Sequence, residues 1–331
     1  MITTIPNIAN FFISISQIPK HNQDSNKQTP STPTHQPTCL PPHPQLHTNL
    51  PTLHLPPLRP LLLQSPKNIE SWPLPTPSPS PFYMLPYHRD RLLQAASHFS
   101  FHPAITAISG ASGFQNLLSV LSNSIDTQSP TPLRVRIVLD HEGTITIESN
   151  PVPPVPLSNL FPTRLPPPTS IPTPAPTISP LTGGALTLGP TTTLPSDPTQ
   201  SSPWTIIPDP SPTTPTPYTS FKTTSRTPYD TARSRAQIPT FTSPQEVLLI
   251  SSHNAEIMEG SLTTPFFYRD GKWVTPSETS GGQIGTTRRW ALEKGICKES
   301  TITLDSLTEG EECWISNGVR GFTWGKIQLA P

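Results

Sequence analysis

Gly285-Thr286-Thr287 is the stretch of this chain best suited to hold an anion. A glycine and two threonines opening a helix leave backbone N–H groups free, add two hydroxyls and face them with the positive end of the helix dipole. Plain helix capping would use the same residues, so the stretch alone does not decide. Upstream lies Glu259, on a strand-like run ending in Gly260. A carboxylate on a strand, followed by an anion-ready helix start, is the arrangement of a cofactor site. A solvated glutamate at a strand edge is the alternative.

The elements that must position these groups are readable around them. Thr263-Thr264-Pro265-Phe266-Phe267-Tyr268 is β-rich, Arg269-Asp270-Gly271-Lys272 has hairpin-turn chemistry, and Trp273-Val274-Thr275 returns as a strand. The helix opened by Gly285 has Trp290, Ala291 and Ile296 for one apolar face. Before it, Tyr229–Ala236 reads as a helix with Pro228 in its first turn, and Glu246–Ser251 as a buried strand. Cys313–Ile315 starts a further strand that ends in an Asn317-Gly318 turn.

Composition limits what surrounds this region. Of 331 residues, 49 are proline and only 32% are hydrophobic, and proline removes backbone donors from helices and sheets. The expected organisation is a disordered Pro/Thr/His-rich segment over 1–80, a small α+β domain over 81–150, a Pro/Thr/Ser-rich linker over 151–216 and a second domain over 217–331. In the first domain Tyr87–Ala96 and Asn116–Leu121 read as helices. Leu133–Leu139 alternates as a strand, His141-Glu142-Gly143 turns it, and Thr144–Glu148 returns. Within the expected linker, Trp204–Ile207 is apolar enough for one strand.

Several functions are disfavoured. Lys plus Arg and Asp plus Glu balance at 21 each, with no basic stripe, so nucleic acid is not an expected partner. The apolar start, residues 1–20, contains Pro6, lacks a basic leading region and falls short of a membrane span, so no membrane partner and a cytoplasmic location are expected. Cys39, Cys297 and Cys313 are distant and odd in number, which fits free thiols. Cys39, His43 and His47 have metal-like spacing, but Pro41, Pro42 and Pro44 deny them a regular scaffold, and no metal is expected.

The ordered set Glu259-Gly260, the aromatic hairpin, Val274-Thr275-Pro276 and Gly285-Thr286-Thr287-Arg288 resembles the class IV aminotransferase signature. His88-x-x-Arg91-Leu92 matches that family's His-x-x-Arg-Leu helix, and Lys222 sits where the family has its cofactor-binding lysine. The resemblance implies a fold-type IV enzyme with pyridoxal 5′-phosphate as cofactor. It implies Lys222 as the catalytic lysine, and Glu259 beside the pyridine nitrogen. It further implies a phosphate cup of Arg91, Gly285, Thr286 and Thr287 with donors from Asn317 and Gly318. Relatives complete their sites with a partner loop, so it also implies a homodimer.

Within the family, Lys222-x-x-x-Arg226 looks like the fungal aminodeoxychorismate lyase group, and an Asn-Tyr pair of the branched-chain aminotransferases is missing. That group forms p-aminobenzoate for folate synthesis, with Arg226 as the candidate for a substrate carboxylate. A nucleophilic lysine must be neutral, which needs burial or a cationic neighbour, and Arg226 is such a neighbour. Two departures stand out. The strands that precede the His-x-x-Arg-Leu helix in relatives have no counterpart between Thr48 and Ser80, and Thr264 stands where relatives have Asn. The readings are thus a lyase, a branched-chain or D-amino acid transaminase on the same fold, or a non-catalytic protein whose Pro-rich arms bind partners.

Overall fold

In a computed structural model of the chain, the described residues are 11–17, 62, 68, 80–126, 131–169 and 202–329. They form two units with the expected α+β character. The first joins helices α1 (Leu85–His98), α2 (His102–Ile108) and α3 (Gly110–Ser124) to a three-stranded antiparallel sheet. Its strands, in the order β1-β2-β3, are β1 (Phe11–Gln17), β2 (Leu133–Leu139) and β3 (Ile145–Pro151). Alternation decides which side of β2 is inside. Val135, Ile137 and Leu139 are buried against Leu92 and Ala96 of α1 and Leu117 and Leu121 of α3. Arg134 and Arg136 therefore leave by the opposite face of β2.

Short helix α4 (Leu157–Leu160) lies in the segment that leads away from this sheet. The second unit is an eight-stranded sheet in the order β6-β5-β4-β11-β10-β7-β8-β9. Its strands are β4 (Trp204–Pro208), β5 (Gln245–Ile250), β6 (Ile257–Gly260), β7 (Thr264–Arg269), β8 (Lys272–Pro276), β9 (Lys298–Ser300), β10 (Glu312–Asn317) and β11 (Gly321–Ile327). Helices α5 (Pro217–Ser220), α6 (Thr227–Arg235) and α7 (Thr286–Glu293) complete it.

Strand β5 is buried on both faces, as a near-continuous apolar run must be. Val247 and Leu249 pack under Tyr229 and Ala232 of α6, while Leu248 and Ile250 join Ile206, Phe267 and Ile315 on the other side. The β7–β8 hairpin forms around Asp270 and Gly271, both with positive φ, as a two-residue turn of the right hand for β-strands requires.

Three expectations change. Residues 1–80, expected to be disordered, contain β1, which pairs with β2 over seven residues from Phe11↔Leu139 to Gln17↔Leu133; their other residues, apart from 62, 68 and 80, lie outside the described ones. An edge neighbour of β2 thus comes from upstream of Thr48. Residues 151–216 are more than a linker, although the single strand expected at Trp204–Ile207 is present as β4. Strand β4 runs parallel between β5 and β11 in the middle of the larger sheet, because Ile206 is fully buried there. Residues 152–169 form an arm fixed by the Tyr83 hydroxyl, which donates to the Leu160 carbonyl at 2.5 Å, and by Trp273 Nε1, which donates to the Leu165 carbonyl at 3.0 Å. Finally, Ile296 lies past the end of α7, whose Trp290 and Ala291 are buried as expected.

Candidate active site

The residues singled out in the sequence converge on one cavity of about 720 Å³ between the two units. Arg91 reaches it from α1, Glu259 from β6, Lys222 and Arg226 from the segment between α5 and α6, Gly285, Thr286 and Thr287 from the start of α7, and Asn317 and Gly318 from the end of β10.

Glu259 is 6% exposed, which removes the solvated strand-edge alternative. Its Oε1 accepts from the Tyr229 hydroxyl at 2.6 Å, and Gln283 Nε2 donates to the same hydroxyl oxygen at 2.8 Å. Arg91 in turn donates to Gln283 Oε1. The chain Arg91–Gln283–Tyr229–Glu259 ties the helix of the first unit to the carboxylate of the second. Burial pushes the Glu259 carboxyl up from its ordinary value, against the Tyr229 hydrogen bond and the nearby Lys222 and Arg91.

Lys222 is pushed the other way. Burial comes first, then the neighbouring cations Arg91 and Arg226, and all three disfavour the ammonium form. The reading that a reactive lysine here would have Arg226 beside it is met, and Arg91 adds a second cation. Arg226 is held by the Ser261 carbonyl at 3.2 Å, by Asp230 at 3.4 Å and by the Tyr229 ring, 5.0 Å from its guanidinium carbon.

The helix start at α7 is built for close approach. Among the described residues no side chain caps the start of α7, and Gly285, Thr286 and Thr287 line the cavity, so first-turn N–H groups are left for a ligand. A methyl at Gly285 would lie 2.7 Å from Thr264 Oγ1, so the cradle needs glycine for space. Thr287 and Ser316 share a hydrogen bond of 2.7 Å that locks α7 to β10, while Asn317 Oδ1 accepts from the Val319 and Arg320 N–H groups and shapes the turn. Arg288 points away, to the Pro276 carbonyl at 2.9 Å and to Glu299, and is structural.

These groups fit pyridoxal phosphate on the structure's own terms. A glycine cradle under a helix N-terminus with Arg91 nearby suits a phosphate, a buried hydrogen-bonded carboxylate suits a protonated ring nitrogen, and a lysine held toward its neutral form suits an aldehyde. Among the described residues no group of three or more His, Cys, Asp or Glu could hold a metal ion, and Cys39, His43 and His47 lie outside them.

Residues without a site signal in the sequence also take part: His88 (there only a motif letter), Gln283, Arg134 and Arg320 line the cavity, and Tyr229 supports Glu259 from behind it. His88 is 2% exposed with neither ring nitrogen hydrogen-bonded, and burial holds its pKa well down, so it stays neutral. Tyr229 carried only a helix signal and Gln283 sat in a polar loop. Arg134 belongs to the alternation of β2, which says that it faces out of the core but not toward what.

The class IV amino-transferase profile matches residues 177–325. An aminodeoxychorismate lyase of Saccharomyces cerevisiae is 34% identical over 139 residues, 38% of this chain and 37% of the relative. A Schizosaccharomyces pombe protein provisionally given the same name is 32% identical over 137 residues, 40% of this chain and 58% of the relative. The chain thus spans less than two thirds of either relative. A crystal structure from Mesorhizobium loti, provisionally named an amino-acid aminotransferase, shares the fold with a TM-score of 0.52, over 75% of this chain and 93% of that one, at 21% identity. Residues 177–325 carry the class IV amino-transferase pattern, the family that the motifs around Lys222, Glu259 and Gly285 resemble.

Proposed function

We propose that the chain is a pyridoxal-phosphate-dependent lyase that converts 4-amino-4-deoxychorismate to p-aminobenzoate and pyruvate. The observation that carries this reading is the single cavity onto which Lys222, Glu259, Arg91 and the Gly285-Thr286-Thr287 helix start all open. Similarity to the two yeast proteins supports the choice of substrate.

When bound, pyridoxal phosphate supplies an electron sink for carbanion chemistry next to the substrate amine. The protein's part is positional and acid–base. Arg91 and the α7 N-terminus would hold the phosphate, with donors from Asn317 and Gly318. Glu259, kept in place by Tyr229, would offer its negative charge to the ring nitrogen and favour its protonated form. Lys222 Nζ, held toward the neutral amine by burial, Arg91 and Arg226, removes the proton from the carbon bearing the substrate amine. The same atom can then return a proton to the departing enolpyruvate. Arg226 offers a guanidinium fork to a substrate carboxylate. Because the product is aromatic, little further driving force is needed from the protein.

The test is incubation of the full chain with pyridoxal phosphate and 4-amino-4-deoxychorismate. Appearance of p-aminobenzoate and pyruvate in equal amounts is expected, and Lys222→Ala should abolish both. Pyridoxamine phosphate formed with an amino acid, without p-aminobenzoate, would assign a transaminase instead. Neither product from cofactor-loaded protein would leave a scaffold without turnover.

The resemblance also supports a homodimer, and its surface lies elsewhere than on the apolar hairpin residues Phe266, Phe267 and Trp273. Phe266 and Phe267 are fully buried and Trp273 nearly so within the chain's own core, so they need no partner to cover them. Sedimentation at micromolar concentration is expected to show twice the chain mass, and a monomer alone would refute it. Among the described residues no single helix is long and apolar enough to cross a membrane.

A further inference from the structure

The cations of the cavity are not equally employed. Arg91 and Lys222 stand around Glu259, Arg136 is bridged to Glu148 at 2.7 Å, and Arg226, positioned by Asp230 and the Ser261 carbonyl, is already assigned one substrate carboxylate. Arg134 and Arg320 remain.

Arg134 sits on β2 between Ser16 of β1 and Asn150 of β3, on the face that looks into the cavity. Its Nε is sealed from solvent and has no hydrogen-bond partner among the described residues. A guanidinium N–H shut away without an acceptor is costly, and native proteins keep few of them.

Arg320 arrives from the other unit, in the turn between β10 and β11. Its backbone N–H donates to Asn317 Oδ1 at 2.9 Å, its Nη2 donates to the Phe241 carbonyl at 2.8 Å, and its guanidinium lies 5.0 Å from the Trp204 ring centre. One hydrogen bond and one ring fix the side chain, and most of its five N–H donors are left over. Burial holds this guanidinium below its ordinary value. Glu246 opposes that, while Arg134 and Arg233 add to it, so Arg134 and Arg320 feel each other as like charges. Two cations that line one cavity from opposite units, with most of the Arg320 donors unspent, form a site that an anion would complete.

We propose that Arg134 and Arg320 form a second anion subsite, which binds one carboxylate of a two-carboxylate substrate while Arg226 binds the other. The inference rests on the lyase reading for its substrate, because 4-amino-4-deoxychorismate carries one carboxylate on the ring and one on the enolpyruvyl arm. It adds the point that a strand of the first unit takes part in selecting the substrate. A substrate with a single carboxylate leaves the Arg134–Arg320 pair unfilled.

The experiment is calorimetric titration of the full chain, with pyridoxal phosphate added, using benzene-1,3-dicarboxylate and benzoate as probes, beside the KM for 4-amino-4-deoxychorismate. The wild-type chain is expected to prefer the dicarboxylate by about tenfold or more, the worth of one charge-assisted hydrogen bond. Arg134→Gln should erase that preference and raise KM about tenfold, with a smaller fall in kcat; Arg134→Lys should fall between. Arg320→Gln repeats the test from the other unit should Arg134→Gln melt below the wild type. Retained preference in a folded variant overturns the subsite. If no p-aminobenzoate forms, yet the preference exists and depends on Arg134, the subsite stands and the reaction assigned above falls. If p-aminobenzoate forms and neither variant changes the preference or KM, the subsite alone falls.

Discussion

A lysine that attacks a carbonyl must carry its lone pair, and three features of the fold favour that state at Lys222. Burial is the largest, and Arg91 and Arg226 follow. Removing a cation relieves repulsion on the ammonium form, so Arg226→Gln should raise the Lys222 pKa. The neutral fraction at a given pH then falls, and the pH midpoint for capture of pyridoxal phosphate, followed by absorbance, should move up. A midpoint that stays or moves down would remove Arg226 from the control of Lys222. At this scale the sequence was legible where chemistry dictates a residue type: an amine, a carboxylate, an arginine and a glycine-threonine turn. Tyr229 and Gln283 were not legible, because any donor of the right reach could support Glu259. Their role comes from where α6 and the loop before α7 meet. Arg134 was hidden for a related reason, since alternation on β2 states a face and not a neighbour.

Helix α7 shows how an element converts packing into a binding surface. Its Trp290 and Ala291 are buried against Phe161 and Phe322, which sets the axis, and the Thr287–Ser316 hydrogen bond sets its start beside β10. The glycine that precedes it then has to let Thr264 of β7 come close. Gly285→Ala should therefore loosen pyridoxal phosphate by about tenfold, with the added methyl 2.7 Å from Thr264 Oγ1. Combining it with Thr264→Ala removes the obstructing hydroxyl and should restore part of the affinity, measured as cofactor retained after dialysis. Absence of rescue would mean that the loss arises in the helix start itself. The elements that sequence reading located best, β2 and the β7–β8 hairpin, owe that to strict alternation and to Asp270-Gly271. Strand β4 is legible as the apolar run Trp204–Ile207, but its central place is not, since its parallel neighbours β5 and β11 are distant in sequence. In β1, Phe11 to Gln17 run as Phe-Phe-Ile-Ser-Ile-Ser-Gln, but an apolar run in the first twenty residues reads equally as a targeting segment.

At the scale of the molecule, the arm of residues 152–169 links the two units. Tyr83 of the first unit holds it at Leu160, Trp273 of the second holds it at Leu165, and Glu312 accepts from the Thr169 N–H at 2.8 Å. The tightest contact is at Gly321, the first residue of β11 and the neighbour of Arg320. Its φ is +66°, and an added Cβ would lie 2.1 Å from the Asn159 carbonyl oxygen. Gly321→Ala thus combines left-handed strain with a collision against backbone, which cannot rotate aside as a flexible side chain could. The expected cost is roughly 2–4 kcal/mol, read as a lower denaturation midpoint with an unchanged denaturant slope. Gly310 provides the control: it too has positive φ, +74°, but an added Cβ there would meet nothing within 4 Å. Gly310→Ala should carry the backbone strain alone, roughly 1–2 kcal/mol. The difference between the two variants isolates the contact of β11 with the arm. Equal costs would show that the arm does not press on β11, and with it the link between the sheet that carries Glu259 and the helix that carries Arg91 would lose its tightest joint.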